Sequence, residues 1–356
     1  MSLTEVPINK QTEEQNKDST EEKLTLQQLR KLIPKQAMNP PSTRNFIEFV
    51  VKFSMFLVTF YFSCTLQSIW LIIPLIIING AFLFSLGTVG HDCGHGSYIR
   101  PRWLNEAIGE LCMSLHGMVY AGWKHFHNTH HAHTNQGELD PDRLWLYEDE
   151  FLAFNKVERF FWKLFHTKCF WLSAVGHYFR AMLPWPFIIK QKTEQVEIIQ
   201  SCQRGIFTFF AILIAFHTSA FFLGLGLKSL IIHVFSLLVA FACLSIYVRT
   251  EHYLLTNNYD VQDKPWLTSR TITQNRILDF FANNLNYHVE HHILQSVPHA
   301  NLPSIRPTIK KTILEAKQPY PEDTFWNFMK IAFNQEFFVL ERNTFKEIPL
   351  SKLQLN

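Results

Sequence analysis

Charge is scarce in this sequence. Asp, Glu, Lys and Arg make up 18% of its 356 residues, against about a quarter in soluble globular proteins. The shortage is local: no Lys or Arg lies between Lys52 and Arg100, and only Lys228 lies between Arg204 and Arg249. Cysteine is thin as well. Six residues (Cys64, Cys93, Cys112, Cys169, Cys202, Cys243) are scattered without a C-x-x-C pair, which excludes a disulfide framework or thiolate metal site and suits a reducing compartment. The net charge is only +3 and no basic stripe carries interleaved aromatics, so nucleic acid is excluded as a partner. The H-E-x-x-H of zinc hydrolases is missing, as is any haem, Fe–S or flavin motif. Residues 1–25 lack the charged-then-apolar pattern of a signal peptide and read as a solvated, disordered tail.

What is abundant is apolar sequence: 47% hydrophobic and 15% aromatic. It is concentrated in four blocks, at about 46–66, 69–89, 205–224 and 229–248. Each has about the 20 residues a helix needs to cross a bilayer core of about 30 Å. The blocks pair into two hairpins, broken at Gln67-Ser68 and at Gly226-Leu227-Lys228. The expected fold is all-α and multi-pass, with four transmembrane helices under a helical cap formed by 90–204 and 249–310. Nearly all Lys and Arg fall on the side carrying both termini and the cap, and the positive-inside rule puts that side in the cytoplasm.

Outside the blocks, a short helix is expected from Leu24 to Leu32, ended by Pro34 and Asn39-Pro40-Pro41. Leu104–Val119 and Phe151–Phe165 read as short amphipathic helices, and Trp171–Phe187 as an aromatic interfacial stretch. The membrane unit is taken as 26–310. Residues 311–356, with Phe325-Trp326-Asn327-Phe328, read as a segment lying on the cap.

Seventeen histidines stand out against this background, because they cluster. The clusters are His91-Asp92-Cys93-Gly94-His95, His127-Asn128-Thr129-His130-His131 and His288-Val289-Glu290-His291-His292. Helical residues at i, i+3 and i+4 share a face, so each cluster presents two or three imidazoles together. Eight imidazoles exceed what one tetrahedral ion accepts, and the number asks for two metal ions; iron, copper and zinc all take such ligands. His252, just past the fourth block, is a ninth candidate. Asp92, His125, His133, Asp140, Asp142, Glu251 and Glu290 are candidates to orient the ligands through their second ring nitrogen. Asp140-Pro141-Asp142 reads equally well as a solvated turn. No catalytic side chain is expected beyond the metal ligands.

From about Phe46 to Pro307 the sequence resembles the integral-membrane fatty acid desaturases. The motifs are HDCGH, HNTHHAHTN followed by ELDPD, and NYHVEHH leading into VPHANLP. His rather than Gln opens the third box and no HPGG segment is present, unlike front-end desaturases, and Glu251-His252 with NYHVEHH looks closest to the bacterial acyl-lipid and rhizobitoxine-type branch. The resemblance implies a non-haem di-iron centre ligated by His91, His95, His127, His130, His131, His252, His288, His291 and His292, with a metal-linked water held by one of Asn283, Asn284 and Asn286. It also implies O2 as co-substrate and a separate electron donor of ferredoxin or cytochrome b5 type. The implied reaction places a C=C bond in a fatty-acyl chain carried by lipid, CoA or acyl-carrier protein. A hydroxylase or ketolase on the same scaffold is the alternative, and a histidine-cluster metal transporter a remote one.

Overall fold

The computed structural model describes residues 24–349, except 144, 167–168, 254, 256–260, 262, 335–337 and 343. Most of the expected disordered tail lies outside the described residues. Four helices dominate: Ser42–Thr65, Ile69–Gly94, Val196–Phe222 and Gly226–His252. All four are long and apolar enough to cross a membrane. Their outer faces leave Trp70, Phe207 and Phe222 78–82% exposed. Contiguous apolar surface of this kind is stable against lipid and not against water. This is a membrane protein.

The helices outrun the apolar blocks. The third begins at Val196, about nine residues early, and its hairpin turns at Leu223–Leu225 rather than at Gly226-Leu227-Lys228. Gly224 supplies the left-handed residue of that turn (φ +77°). Lys228 then falls in the first turn of the fourth helix, where its Nζ donates to the Leu66 carbonyl at 2.6 Å. The lone cation of this stretch thus caps the C-terminal end of the first span, where a helix dipole favours positive charge. At the cap side, helical backbone continues through Gly94 and His252, so the first cluster and His252 ride on the last turns of two spans.

The second span is central, packed between the first and the fourth. Asn79 donates to the Phe56 carbonyl (2.7 Å) and to Thr59 Oγ1 (2.8 Å) of the first span, the kind of polar contact that joins helices in lipid. Against the fourth span the contact is steric. A Cβ at Gly80 would stand 2.4 Å from Val239 Cβ and 2.8 Å from the Ser236 carbonyl oxygen. His217 and His233, toward the hairpin ends of their helices, bond one another through Nε2 and Nδ1 at 3.0 Å.

Between the hairpins, helices Arg102–Leu115 and Tyr120–His133 meet at a turn made by Gly117 (φ +82°). That turn cuts the expected Leu104–Val119 helix short. His233 donates through Nε2 to the Leu115 carbonyl at 2.9 Å, so the tip of this helix pair dips among the spans. The expected Phe151–Phe165 helix is two, Glu148–Ala153 and Lys156–His166. Asn155 separates them by accepting from the amides of Val157 and Glu158 (2.9 and 3.0 Å). Trp171–Phe187 becomes a series of short helical turns.

The rest of the cap adds two features not expected of an all-α chain. Strands β1 (Thr271–Thr273) and β2 (Glu322–Thr324) pair in parallel, and β3 (Phe338–Leu340) and β4 (Glu347–Pro349) antiparallel. The N-terminal helix Leu26–Lys31 is closed by a Thr25–Gln28 capping box. Its Arg30 Nε donates to the Ile293 carbonyl (2.7 Å), holding the third histidine helix in place. Phe328, on the C-terminal helix Phe325–Asn334, is buried against Phe151 and Phe338.

Gly80→Val is expected to force apart the second and fourth spans, at a cost of about 1–3 kcal/mol. A lowered thermal midpoint in detergent checks this; an unchanged midpoint would mean the spans do not cross there.

Candidate metal centre

Helix geometry explains how each histidine reaches the site. His91 and His95 share a face of the second span's last turn, with ring centroids 4.9 Å apart. Gly94 lies between them, where a Cβ would stand 2.6 Å from Trp123 Cζ3. The missing side chain lets Trp123 in, and its indole stacks on His127 at 4.7 Å. His127, His130 and His131 occupy the end of Tyr120–His133, His252 the last turn of the fourth span, and His288, His291 and His292 the short helix His288–Ile293. Four separate segments therefore converge, and all nine expected histidines come together.

They form two groups. In the first, His91, His95, His127, His131 and His291 each offer a nitrogen within 4.8 Å of the others. The second contains His130, His252 and His292. His288 joins it, with Nε2 2.8 Å from His252 Nε2 and 3.0 Å from His292 Nε2. In the first group the Nε2 atoms of His131 and His127 are 3.0 Å apart, and those of His291 and His131 3.1 Å.

These short nitrogen–nitrogen contacts are the decisive geometry. His252 Nδ1 lies 2.8 Å from the Thr268 carbonyl and His288 Nδ1 3.2 Å from that of Leu285. A carbonyl only accepts, so both Nδ1 atoms carry hydrogen. A neutral imidazole has one N–H, so two bare Nε2 lone pairs face each other at 2.8 Å. That repels unless a cation stands between them. Nitrogens about 2.1 Å from one ion and at right angles are about 3.0 Å apart, which is the spacing found. Two sets of imidazoles with this spacing suit two ions of more than four ligands, as the chemistry of the donors allows for iron.

Burial keeps most of the imidazoles neutral. It holds His127, His131, His288, His291 and His292 well below the ordinary imidazole value, with neighbouring rings adding to the effect. His95 falls to about 3, through burial and the charge of Lys124. His130 differs. Burial lowers it, but Asp140, 2.8 Å from its Nδ1, outweighs this and raises it overall. Asp140 therefore fixes the Nδ1–H tautomer and turns Nε2 toward the other rings.

Not every expected orienting residue does this. Asp140 and Asp142 are buried, not solvated. Asp140 also accepts from the amides of Asn135 and Asp142, and Asp142 bonds His177 Nε2 at 2.8 Å. Glu251 Oε2 is 3.5 Å from His288 Nδ1. Asp92 instead accepts from Ser97 and from the His299 amide. Glu290 accepts from Thr271 and Tyr320, tying the third histidine helix to β1. His125 packs on Trp185 and His133 lies near Gln136. Asn284 supports a left-handed turn (φ +58°), its amide donating to the Asp279 carbonyl. Three partners were missed: the Thr268 and Leu285 carbonyls, and Thr134, whose Oγ1 is 3.2 Å from His292 Nδ1. His299, just downstream of the third cluster, also escaped the sequence pattern; it is fully buried and stacked on His91 at 5.3 Å. Its only signal was proximity to the third cluster.

Beside the two groups a narrow cavity runs between the second and fourth spans and the dipping helix pair. Phe84, Met113, Met118, Met182, Leu244 and Val248 give it apolar walls, and His91, His127, His130, His252 and His288 line its end. An aliphatic chain lying there would meet both metal groups.

Residues 68–324 match the family profile described as fatty acid desaturase. The chain belongs to the fatty acid desaturase family. Among its relatives, the sn-1 oleoyl-lipid 12-desaturase of Arthrospira platensis is 26% identical over 271 residues, 73% of this chain and 74% of the relative. The enzyme of the same name from Picosynechococcus sp. is 25% identical over 280 residues, 75% and 76% of the two chains. The sn-1 acyl-lipid omega-3 desaturase (ferredoxin) of Nostoc sp. is 33% identical over 162 residues, 44% of this chain and 43% of the relative. This protein is thus a membrane desaturase of the bacterial branch, an oxidoreductase that introduces a C=C bond into a fatty-acyl chain. No relative named here is a hydroxylase, ketolase or transporter.

Two outcomes follow for the desaturase. Asp140→Ala is expected to weaken metal binding about 10–100-fold, while Asp140→Asn, which keeps an acceptor for the His130 N–H, costs less; metal titration checks the order. Because the depressed imidazoles stay neutral below their ordinary value, bound metal should persist as pH falls through about 6.5. The metal-free protein, by contrast, should lose stability over that range, since its unfolded chain takes up protons the folded cluster refuses. Metal loss centred near 6.5 in dialysis experiments would mean solvated rings.

Proposed function

We propose that this protein desaturates acyl chains of membrane lipids with O2, at two irons, using electrons from a ferredoxin-type carrier. The observation that carries the reading is the pair of imidazole groups, with bare nitrogens facing each other, at the end of an apolar cavity. The substrate class and donor rest on the printed names of the relatives, which are acyl-lipid desaturases, one of them marked ferredoxin.

In this reading His91, His95, His127, His131 and His291 hold one iron, and His130, His252, His288 and His292 the other. Asp140 orients His130 and Glu251 stands beside His288, while Asp142 Oδ2 lies 4.0 Å from His127 Nδ1. The irons supply the oxidising power that removes hydrogen from an unactivated methylene. The chain's own residues do the rest. Burial keeps His127, His131, His288, His291 and His292 unprotonated, and Asp140, Thr268 and Leu285 accept from Nδ1 of His130, His252 and His288, so that Nε2 faces the metal. The aliphatic and Met walls exclude water and fix which methylene lies beside the ligands, since positioning at this scale governs such steps. The histidines and the Lys- and Arg-rich cap face the cytoplasm, an orientation supported by the distribution of positive charge. Residues 26–310 form the desaturase unit and the segment from 311 lies on its cap.

Iron-loaded protein supplied with acyl lipid and a reductant is expected to give a product lacking two hydrogens, seen by mass spectrometry. A product that gains one oxygen instead would make it a hydroxylase. His291→Ala should abolish alkene formation and lower bound iron; full activity in that variant would break the ligand assignment.

A further inference from the structure

The imidazole groups have a second approach, on a different side from the apolar cavity. Of the nine histidines only His95 and His131 keep partial exposure, and both belong to the first group. His95 lines a groove of about 470 Å³ whose walls include Gly96, Arg100, Arg102, Lys124 and Asn128. The apolar cavity reaches His91, His127, His130, His252 and His288 but not His95. A Cβ at Gly96 (φ +67°) would meet nothing within 4 Å, so the groove is open at this point of its wall.

The groove is positively charged. Glu106 is the one carboxylate in its wall, against three cations. Lys124 takes its near oxygen at 3.1 Å, and Arg102 Nε stands 4.0 Å from the same atom with its side chain 84% exposed. Arg100 reaches only the Gly96 carbonyl, at 3.3 Å, and among the described residues has no ion-pair partner. Exposed cations of this kind contribute little to stability but attract an opposite charge over about a Debye length, ~8 Å at physiological salt.

We propose that this groove is the docking surface for an acidic one-electron carrier protein, with the edge of His95 as the point of electron entry. The inference rests on the desaturase reading above, and the balance of that reaction requires such a partner: –CH2–CH2– + O2 + 2 e⁻ + 2 H⁺ gives –CH=CH– + 2 H2O. Two electrons leave with the C–H bonds, and two arrive from the carrier, one per docking event. The substrate chain has its own apolar approach, and the polar groove suits a partner that stays in water. Charge complementarity of this kind governs association rate and specificity.

The test compares wild-type protein with the double variant Arg100→Glu/Arg102→Glu, iron-loaded and in nanodiscs. Binding of an acidic plant-type ferredoxin is measured directly, and turnover is measured with that ferredoxin and, separately, with reduced methyl viologen. In the variant, ferredoxin binding and its association rate should fall about tenfold or more and lose their salt dependence. Viologen-driven turnover and iron content should not change, and Arg100→Lys/Arg102→Lys should behave as wild type. Equal ferredoxin binding by both proteins would overturn the docking site. So would a parallel fall with both donors and a raised KM for lipid, which would assign the groove to a lipid headgroup. Wild-type protein that binds ferredoxin through these arginines yet forms no alkene would support the docking site and remove the desaturase reading.

Discussion

Two unprotonated imidazole nitrogens held 2.8 Å apart are the constraint on which much of this structure depends. Such a contact is repulsive, and nine largely buried rings raise the cost further, because an imidazole that cannot charge or hydrogen-bond gives up its hydration. The arrangement is stable only around cations. The protein therefore has to bring four segments, separated by up to some two hundred residues of sequence, to one place and keep their rings fixed while metal is taken up. The Nδ1 partners do this. The carbonyls of Thr268 and Leu285 and the carboxylate of Asp140 select one tautomer each, and a wrong tautomer would put an N–H where a ligand belongs.

The spans serve that requirement from a distance. Rigid helices running through lipid deliver His91, His95 and His252 at their last turns, and their relative height is set by contacts well inside the membrane. Asn79 ties the second span to the first, and Gly80 lets the fourth approach so closely that no sliding is tolerated. The His217–His233–Leu115 chain then anchors the helix that precedes the second cluster. A shift of one turn at any of these contacts moves a ligand by about 5.4 Å, more than the 2.8–3.1 Å between the facing nitrogens. The membrane region and the metal centre are thus one mechanical unit.

The features legible in the sequence were those governed by short-range geometry. Apolar runs of spanning length marked the four helices, and i, i+3, i+4 spacing marked the clusters, because a helix alone dictates both. His252 was legible because span ends were. The errors have the same origin. Asp92 and Glu290 sit next to ligands in sequence, but adjacent residues on a helix point in different directions, so they brace neighbouring elements. Asp140 succeeds because a turn brings the chain back onto His130. Partners that are backbone carbonyls leave no trace in residue type, and His299 acquires its place only through tertiary packing. The three-residue strands are too short for alternation to register. Helix ends ran past the apolar blocks because backbone hydrogen bonding does not stop where hydrophobicity does.

The centre also has two chemically different sides, and this asymmetry follows from where the clusters sit. Placed at the ends of the spans, the rings border lipid-like interior on one side and the aqueous cap on the other. The interior side is walled by Phe, Met and Leu and opens on both groups. The other is walled by Arg, Lys and Asn and opens on His95. A chain with no charge and an acidic protein can each reach the same metals without competing for one entrance, and neither has to cross the other's solvent. A centre buried in mid-membrane would lose the aqueous approach, and one on a soluble cap would lose the apolar one. Location at the boundary satisfies both.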